Sequence, residues 1–244
     1  MFLYESFLTP VLAVAIVWGP LISQAYGGAM PTSGEILKRH NIQLTLPALV
    51  DALGNADPDV RYLAGQKLAE DRETDAIPAI RQALASEKVP WARTNIAFAL
   101  AQMGDSIGFA TLQDNCNNKG TSGPIRTRSA EYLLRLGRDS TTCLSGVLDL
   151  LKGESNGDRM AAAELLPRYH KLSKDDSEKV FTGLVEALHA PDPAVRMAAG
   201  RALADFGDTR GITELERAIE GEQEQVVRSQ LQEGLEMLRN KIRQ

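Results

Sequence analysis

Aromatic residues make up only 5% of the 244-residue chain, and cysteine (2) and histidine (3) are scarcer still. With so few rings, a core has to be built from Leu, Ala, Val and Ile, which suits stacked helices better than a sandwich or a barrel. His40, His170 and His189 stand alone in the sequence, and no metal-ligand spacing joins them. There is no G-x-S-x-G, no C-x-x-C and no glycine-rich loop between a strand and a helix to cradle phosphate. No catalytic residue, cofactor site or metal site is therefore expected. Positive charge is also short: 27 Lys and Arg face 32 Asp and Glu, a net charge of -5, which offers no general attraction to nucleic acid or anionic lipid. What the chain does have is 43% hydrophobic and 24% charged residues, a normal globular balance with length enough for a long continuous core.

The amino end departs from that balance. Residues 6–34 carry no charged side chain, and 11–18 is an unbroken apolar run of the length of a signal-peptide h-region. Ser23-Gln24-Ala25 fits the small-x-small cleavage rule, with Ala25-Tyr26-Gly27 and Gly27-Gly28-Ala29 as alternatives. Residues 1–25 are thus expected to be a signal peptide, with an exported chain that has no membrane contact after cleavage. The alternative is an uncleaved membrane anchor, although the 16 residues of 7–22 fall short of the roughly 20 that a span needs. Glu5 precedes the apolar run and Lys38-Arg39 follow it, so a retained anchor would leave the rest in the cytoplasm. Thr32-x-x-Glu35 reads as a capping box opening a short helix, and residues 26–43 as an N-terminal cap over the rest of the chain.

The remainder, 44–244, repeats. In 172–206, Val180, Leu184, Val185 and Leu188 line one helical face, Asp192-Pro193 stops and restarts the chain, and Val195, Ala199, Leu203 and Phe206 line a second helix closed by Gly207. Such a hairpin cannot cover its own apolar face, and copies of it are found along the chain. Arg61, Arg93, Arg126, Arg159, Arg196 and Arg228 mark them, at spacings of 32, 33, 33, 37 and 32 residues. Seven places after each marker stands leucine: Leu68, Leu100, Leu133, Leu166, Leu203 and Leu235. Four places after it come Gly65, Ala97, Ala130, Ala163, Gly200 and Gln232, small in five of six and fit for close helix approach. Four places before it, Asp57, Ser122, Ser155 and Asp192 are N-cap residues. Residues 115–123 and 171–177 read as the two irregular loops, the second accounting for the 37-residue spacing.

The D-P-x-V-R runs at 57–61 and 192–196, the A-x-x-x-L after them, and the Gly-Asp closings at Gly104-Asp105 and Gly207-Asp208 resemble HEAT repeats, in the short form also found in phycobilin lyases. The resemblance spans residues 44–240. It implies an all-α fold, a right-handed α-solenoid of about six hairpins. It also implies that the arginine column is structural, each guanidinium bonding an acidic side chain in the turn of its own or the next repeat; Asp57, Asp59, Asp192 and Glu224 are the available acids. The His-Glu pairs with which iron-dependent HEAT-repeat hydroxylases hold metal are absent, so that activity is not carried over. A bilin lyase or chaperone of the same repeat type, and a membrane-anchored cytoplasmic adaptor, remain as alternatives to a non-catalytic exported scaffold that binds a protein partner.

Cys116 and Cys143 fall on adjacent layers, at the end of one hairpin's first helix and the start of the next. An even count in an exported protein favours a disulfide, and closing this 27-residue loop would stabilise by about 3.5 kcal/mol on the chain-entropy model. In a cytosolic protein the same pair would be two buried thiols. Trp91, two residues before Arg93, is expected to cover the end of the core. On the second helices, the positions two, five and nine after each arginine point away from the leucine column and should line the inner, concave face. Unlike the core columns they do not repeat, which leaves them free to carry specificity. Asn95, Phe98, Gln102, Arg128, Glu131, Arg135, Arg168 and Arg201 are the candidate partner-binding residues there, since aromatic and arginine side chains anchor protein interfaces.

Overall fold

A computed structural model describes residues 31–137 and 141–243. The expected leader at 1–25, and residues 26–30 of the expected cap, lie outside the described residues. Within them there are thirteen α-helices, two single 3-10 turns and no strand. A short helix, α1 (Ser33–Arg39), precedes six helical hairpins: α2 (Leu46–Ala52) with α3 (Pro58–Glu70), α4 (Ile77–Ser86) with α5 (Pro90–Gln102), α6 (Ser106–Asn117) with α7 (Gly123–Arg135), α8 (Leu144–Leu151) with α9 (Asn156–Leu165), α10 (Lys174–Ala187) with α11 (Pro193–Phe206), and α12 (Gly211–Gly221) with α13 (Gln225–Ile242). The second helices stack in order, α3 on α5, α5 on α7, α7 on α9, α9 on α11 and α11 on α13. The chain is an α-solenoid. Among the described residues no helix is long and apolar enough to cross a membrane.

Each marker arginine is the fourth residue of its second helix, and the six leucines seven places on are buried without exception, Leu235 the most exposed at 7%. Each such side chain is worth about 1.5–3 kcal/mol of apolar burial. The small column behaves as its size suggests. Gly65, Ala97, Ala130, Ala163 and Gly200 are buried against the neighbouring repeat, whereas Gln232 is exposed on α13, the last of the described helices. A Cβ on Gly108 of α6 would lie 2.5 Å from backbone atoms of Ala97 and Ala101, so α6 meets α5 backbone to backbone.

The turns are built by capping. Asp57, Ser155 and Asp192 each accept backbone N–H groups at the start of their helices, while Ser122 makes no such bond. In its place the Asp158 carboxylate packs against Gly123, the first residue of α7, where the helix dipole favours negative charge. Most second helices close in the left-handed region, at Arg72 (φ 58°), Gly104 (82°), Gly137 (62°) and Gly207 (82°), while Lys171 (58°) stands beyond the 3-10 turn that follows α9. At the amino end, Thr32 and Glu35 form the full capping box. The α1 helix docks on α3 with Leu37 buried, and the Ser33 hydroxyl donates to the Glu70 carboxylate at 2.8 Å.

Two loops are shorter than the sequence suggests. The α6 helix continues to Asn117 and α7 begins at Gly123, so the irregular stretch is 118–122 rather than 115–123. Residues 174–177 belong to α10. The long spacing there arises from the 3-10 turn Leu166–Arg168 and from α10 itself, which has 14 residues where α8 has 8.

Candidate functional site on the second-helix face

The arginine column is not a continuous ladder. Arg61 donates to both oxygens of Glu87 at 2.6 and 2.8 Å, and Arg196 to both of Glu222 at 2.7 and 3.0 Å. Both acceptors lie six residues before the next repeat's arginine, where the intervening repeats have Gly120, Gly153 and Ala190. With no carboxylate at that place, the other arginines do something else. Arg126 donates to the carbonyls of Cys116 and Gly146, and Arg228 to the carbonyl of Glu222. Among the described residues Arg93 has no ion pair and the buried Nε of Arg159 has no hydrogen-bond partner. Of the acids expected as rungs, Asp57 and Asp192 are occupied in capping, and only Glu224 reaches an arginine, Arg196, at 3.2 Å.

Each remaining junction between repeats has its own fastener, and the junction of the last two has a second, at Arg210. Cys116, in the last turn of α6, and Cys143, the N-cap of α8, form a disulfide. Arg81 of α4 bonds the buried Asp105 at the start of α6 at 2.8 Å. Asn156 donates to Asp192 at 2.8 Å. Arg210 lies 4.1 Å from the Phe181 ring centroid and bonds Asp208 and Glu178.

The second-helix face is organised by rings. Phe98 of α5 is 92% buried, stacked on Tyr132 of α7 with centroids 3.9 Å apart and planes 14° from parallel. The expectation that this position faces solvent is corrected: the neighbouring second helix brings Tyr132 over it, just as Leu63 on the same face of α3 is covered. The Tyr132 hydroxyl donates to Asn95 Oδ1, and Asn95 Nδ2 donates to the Trp91 carbonyl at 2.9 Å. Burial raises the Tyr132 phenol above its ordinary range, against the pull of Arg128 beside it. Trp91 stays 39% exposed, standing edge-on to Tyr62 at 5.5 Å, so it does not close the end of the core as expected. Burial, with Asp59 nearby, pushes the Tyr62 phenol up to about 12.

Arginines surround the rings. The Arg135 guanidinium sits 5.2 Å from the Phe98 centroid and 5.9 Å from that of Tyr132, and Arg128 sits 5.7 Å from Tyr132. Glu131 is shared by Arg128 at 3.9 Å and Arg168 at 3.5 Å. Arg168 comes from the 3-10 turn after α9. Arg201 makes a loose surface pair with Asp205 at 4.0 Å, and Gln102 is exposed at the end of α5. The structure thus brings Asn95, Phe98, Arg128, Glu131, Arg135 and Arg168 into one patch, and among the described residues no hydrogen bond, ion pair or ring contact joins Gln102 or Arg201 to it. Tyr62 and Tyr132 join that patch although sequence spacing did not select them. The signal for Tyr132 was a large ring six places after the arginine, where the adjoining second helices have Ala99 and Leu165. Among the described residues no group of three or more His, Cys, Asp or Glu could hold a metal ion.

The family profile described as HEAT repeats matches residues 46–135 and 144–236. The chain belongs to the HEAT-repeat family. No curated protein matches it. Among solved structures this HEAT-repeat chain is similar to a designed armadillo repeat protein in complex with the peptide (KR)4, at 17% identity over 79% of this chain and 99% of that one, TM-score 0.49. It is also similar to the complex of CpcE and CpcF of phycocyanin lyase from Nostoc sp. PCC7120, at 20% identity over 66% and 98%, TM-score 0.47. Human deoxyhypusine hydroxylase in complex with glycerol is similar at 20% identity over 85% and 77%, TM-score 0.43.

Proposed function

We propose that this HEAT-repeat chain is a non-catalytic scaffold that binds a protein partner through the second-helix face of its middle repeats, and that it works outside the cytoplasm after residues 1–25 are removed. The observation that carries the first half is Arg135. Its guanidinium is held over two stacked rings and has no carboxylate partner among the described residues, although the chain as a whole has more acids than bases. Maintaining the stack does not require such a group, whereas interfaces favour arginine and aromatic side chains held in one place. The Cys116–Cys143 disulfide supports the second half, because such bonds persist in oxidising compartments.

The binding test uses the leader-free protein as bait and locates the partner by cross-linking. Cross-links should fall on α5, α7 and α9, and the Arg135→Glu/Arg168→Glu double variant should lose the partner while keeping its helical circular dichroism. Cross-links confined to the first helices would overturn the reading. N-terminal sequencing of the mature protein tests export, and Met1 retained on the mature chain would refute it.

A further inference from the structure

Resting on that reading, we infer that the partner segment bound at this patch is a short acidic peptide carrying two carboxylates three residues apart, one for Arg135 and one for Arg168. Among the described residues the local charge is unbalanced: Arg128 and Arg168 divide a single carboxylate, Glu131, and Arg135 has ring contacts and no ion pair. Stacking over an aromatic face fixes a guanidinium at little further entropic cost and leaves its N–H edge free, which is the geometry that accepts a carboxylate with two parallel hydrogen bonds. Both arginines stand nine places after their repeat's marker, at the ends of neighbouring stacked second-helix elements. Packed helices lie about 8–10 Å apart, and three residues of polyproline II chain rise about 9 Å and complete one turn, which returns the side chain to the same face. A segment crossing from α7 to α9 in that conformation therefore meets the two arginines with side chains three positions apart.

The same column limits how long and how negative the ligand can be. On the flanking repeats it holds the neutral Gln102 and the acidic Asp205, with Glu70 one repeat further out, and Glu131 lies inside the patch. A polyanion such as single-stranded DNA would run its charges against these acids, whereas a two-carboxylate motif fits between them.

The experiment is an NMR titration of the isotope-labelled, disulfide-bonded protein, reading the arginine side-chain N–H resonances. Four additives are compared: blocked hexapeptides containing Glu-Ala-Ala-Glu, Gln-Ala-Ala-Gln or Lys-Ala-Ala-Lys in otherwise identical alanine frames, and an oligothymidylate of similar length. The glutamate peptide should bind at least tenfold more tightly than the glutamine peptide, with the shifts centred on Arg135 and Arg168. Arg135→Gln should weaken it about tenfold, while Arg217→Gln, on the first helix of the last hairpin and outside the patch, changes it less than twofold. Equal binding of the glutamate and glutamine peptides, tighter binding of the oligothymidylate, or shifts centred elsewhere would overturn the inference. If a partner cross-links to α5, α7 and α9 through a segment without acidic residues, this inference falls and the scaffold reading stands; if it cross-links elsewhere, both fall.

Discussion

Replacing Glu222 by Gln isolates one rung of the broken ladder. Glu222 is buried, and its Oε1 accepts from Arg196 at 3.0 Å and from the backbone N–H groups of Gln223 and Glu224 at 2.9 Å, while Oε2 accepts from Arg196 Nε at 2.7 Å. Glutamine keeps the oxygen that serves three donors, but sets an NH2 group against Arg196 Nε and removes the charge. Losing one partner of a buried ion pair costs about 3–5 kcal/mol. Arg196 retains the carbonyls of Ala190 and Pro191 and the carboxylate of Glu224, so the expected loss is at the lower end or just below, about 2–3 kcal/mol at neutral pH. The Arg196 hydrogen bond holds the Glu222 carboxyl below the ordinary glutamate range, against the opposing effect of burial. A depressed carboxyl stabilises fully above the unfolded value of about 4.3 and loses that contribution as the pH falls through the lower folded value. Wild type and variant should therefore differ by about 2–3 kcal/mol at pH 7 and converge toward about pH 3. Urea unfolding followed by far-ultraviolet circular dichroism measures the difference, and hydrogen exchange should place the lost protection in α12 and α13, because repeats couple mainly to their neighbours. A loss that stays the same between the two pH values, or one below about 0.5 kcal/mol at pH 7, would refute the account of the rung.

Leu203→Ala should cost about 2–5 kcal/mol as a fully buried large-to-small change, whereas Arg201→Ala, two residues away on the exposed side, should stay within about 0.5 kcal/mol; equal losses in urea unfolding would mean that the faces of α11 are wrongly assigned. Reducing the Cys116–Cys143 bond, which closes a separation of 27 residues, should lower stability by up to about 3.5 kcal/mol, measured as the shift in unfolding midpoint with and without reductant. Gly108→Ala forces a methyl against the α5 backbone and should destabilise by about 1–3 kcal/mol or more, the reverse of the usual gain when alanine replaces glycine within a helix. A stabilised Gly108→Ala protein would show that α5 and α6 separate freely.

The repeats were legible in the chain because each hairpin must solve the same burial problem, and the solution recurs as Leu68 through Leu235 behind Arg61 through Arg228. The disulfide pair came from an even cysteine count and from stacking, which sets the end of one hairpin's first helix beside the start of the next hairpin's first helix. The capping box at Thr32 and Glu35 is a local device, specified by residues within one helical turn of each other.

What the chain alone did not decide is how an unpatterned face is finished. Positions two, five and nine after the marker were judged by the angle of one helix, and a helix wheel has no knowledge of its neighbour. Tertiary stacking carried Tyr132 over Phe98 and hid that ring, set Arg135 above both, and left Trp91 half in water. It also chose Glu87 and Glu222 as the ladder's rungs over the acids closer in sequence, because a guanidinium reaching out of one repeat meets the turn of the next, about 26 residues away along the chain. Periodicity therefore fixed which residues are buried within a repeat, and only the contact between repeats settled which side chains meet.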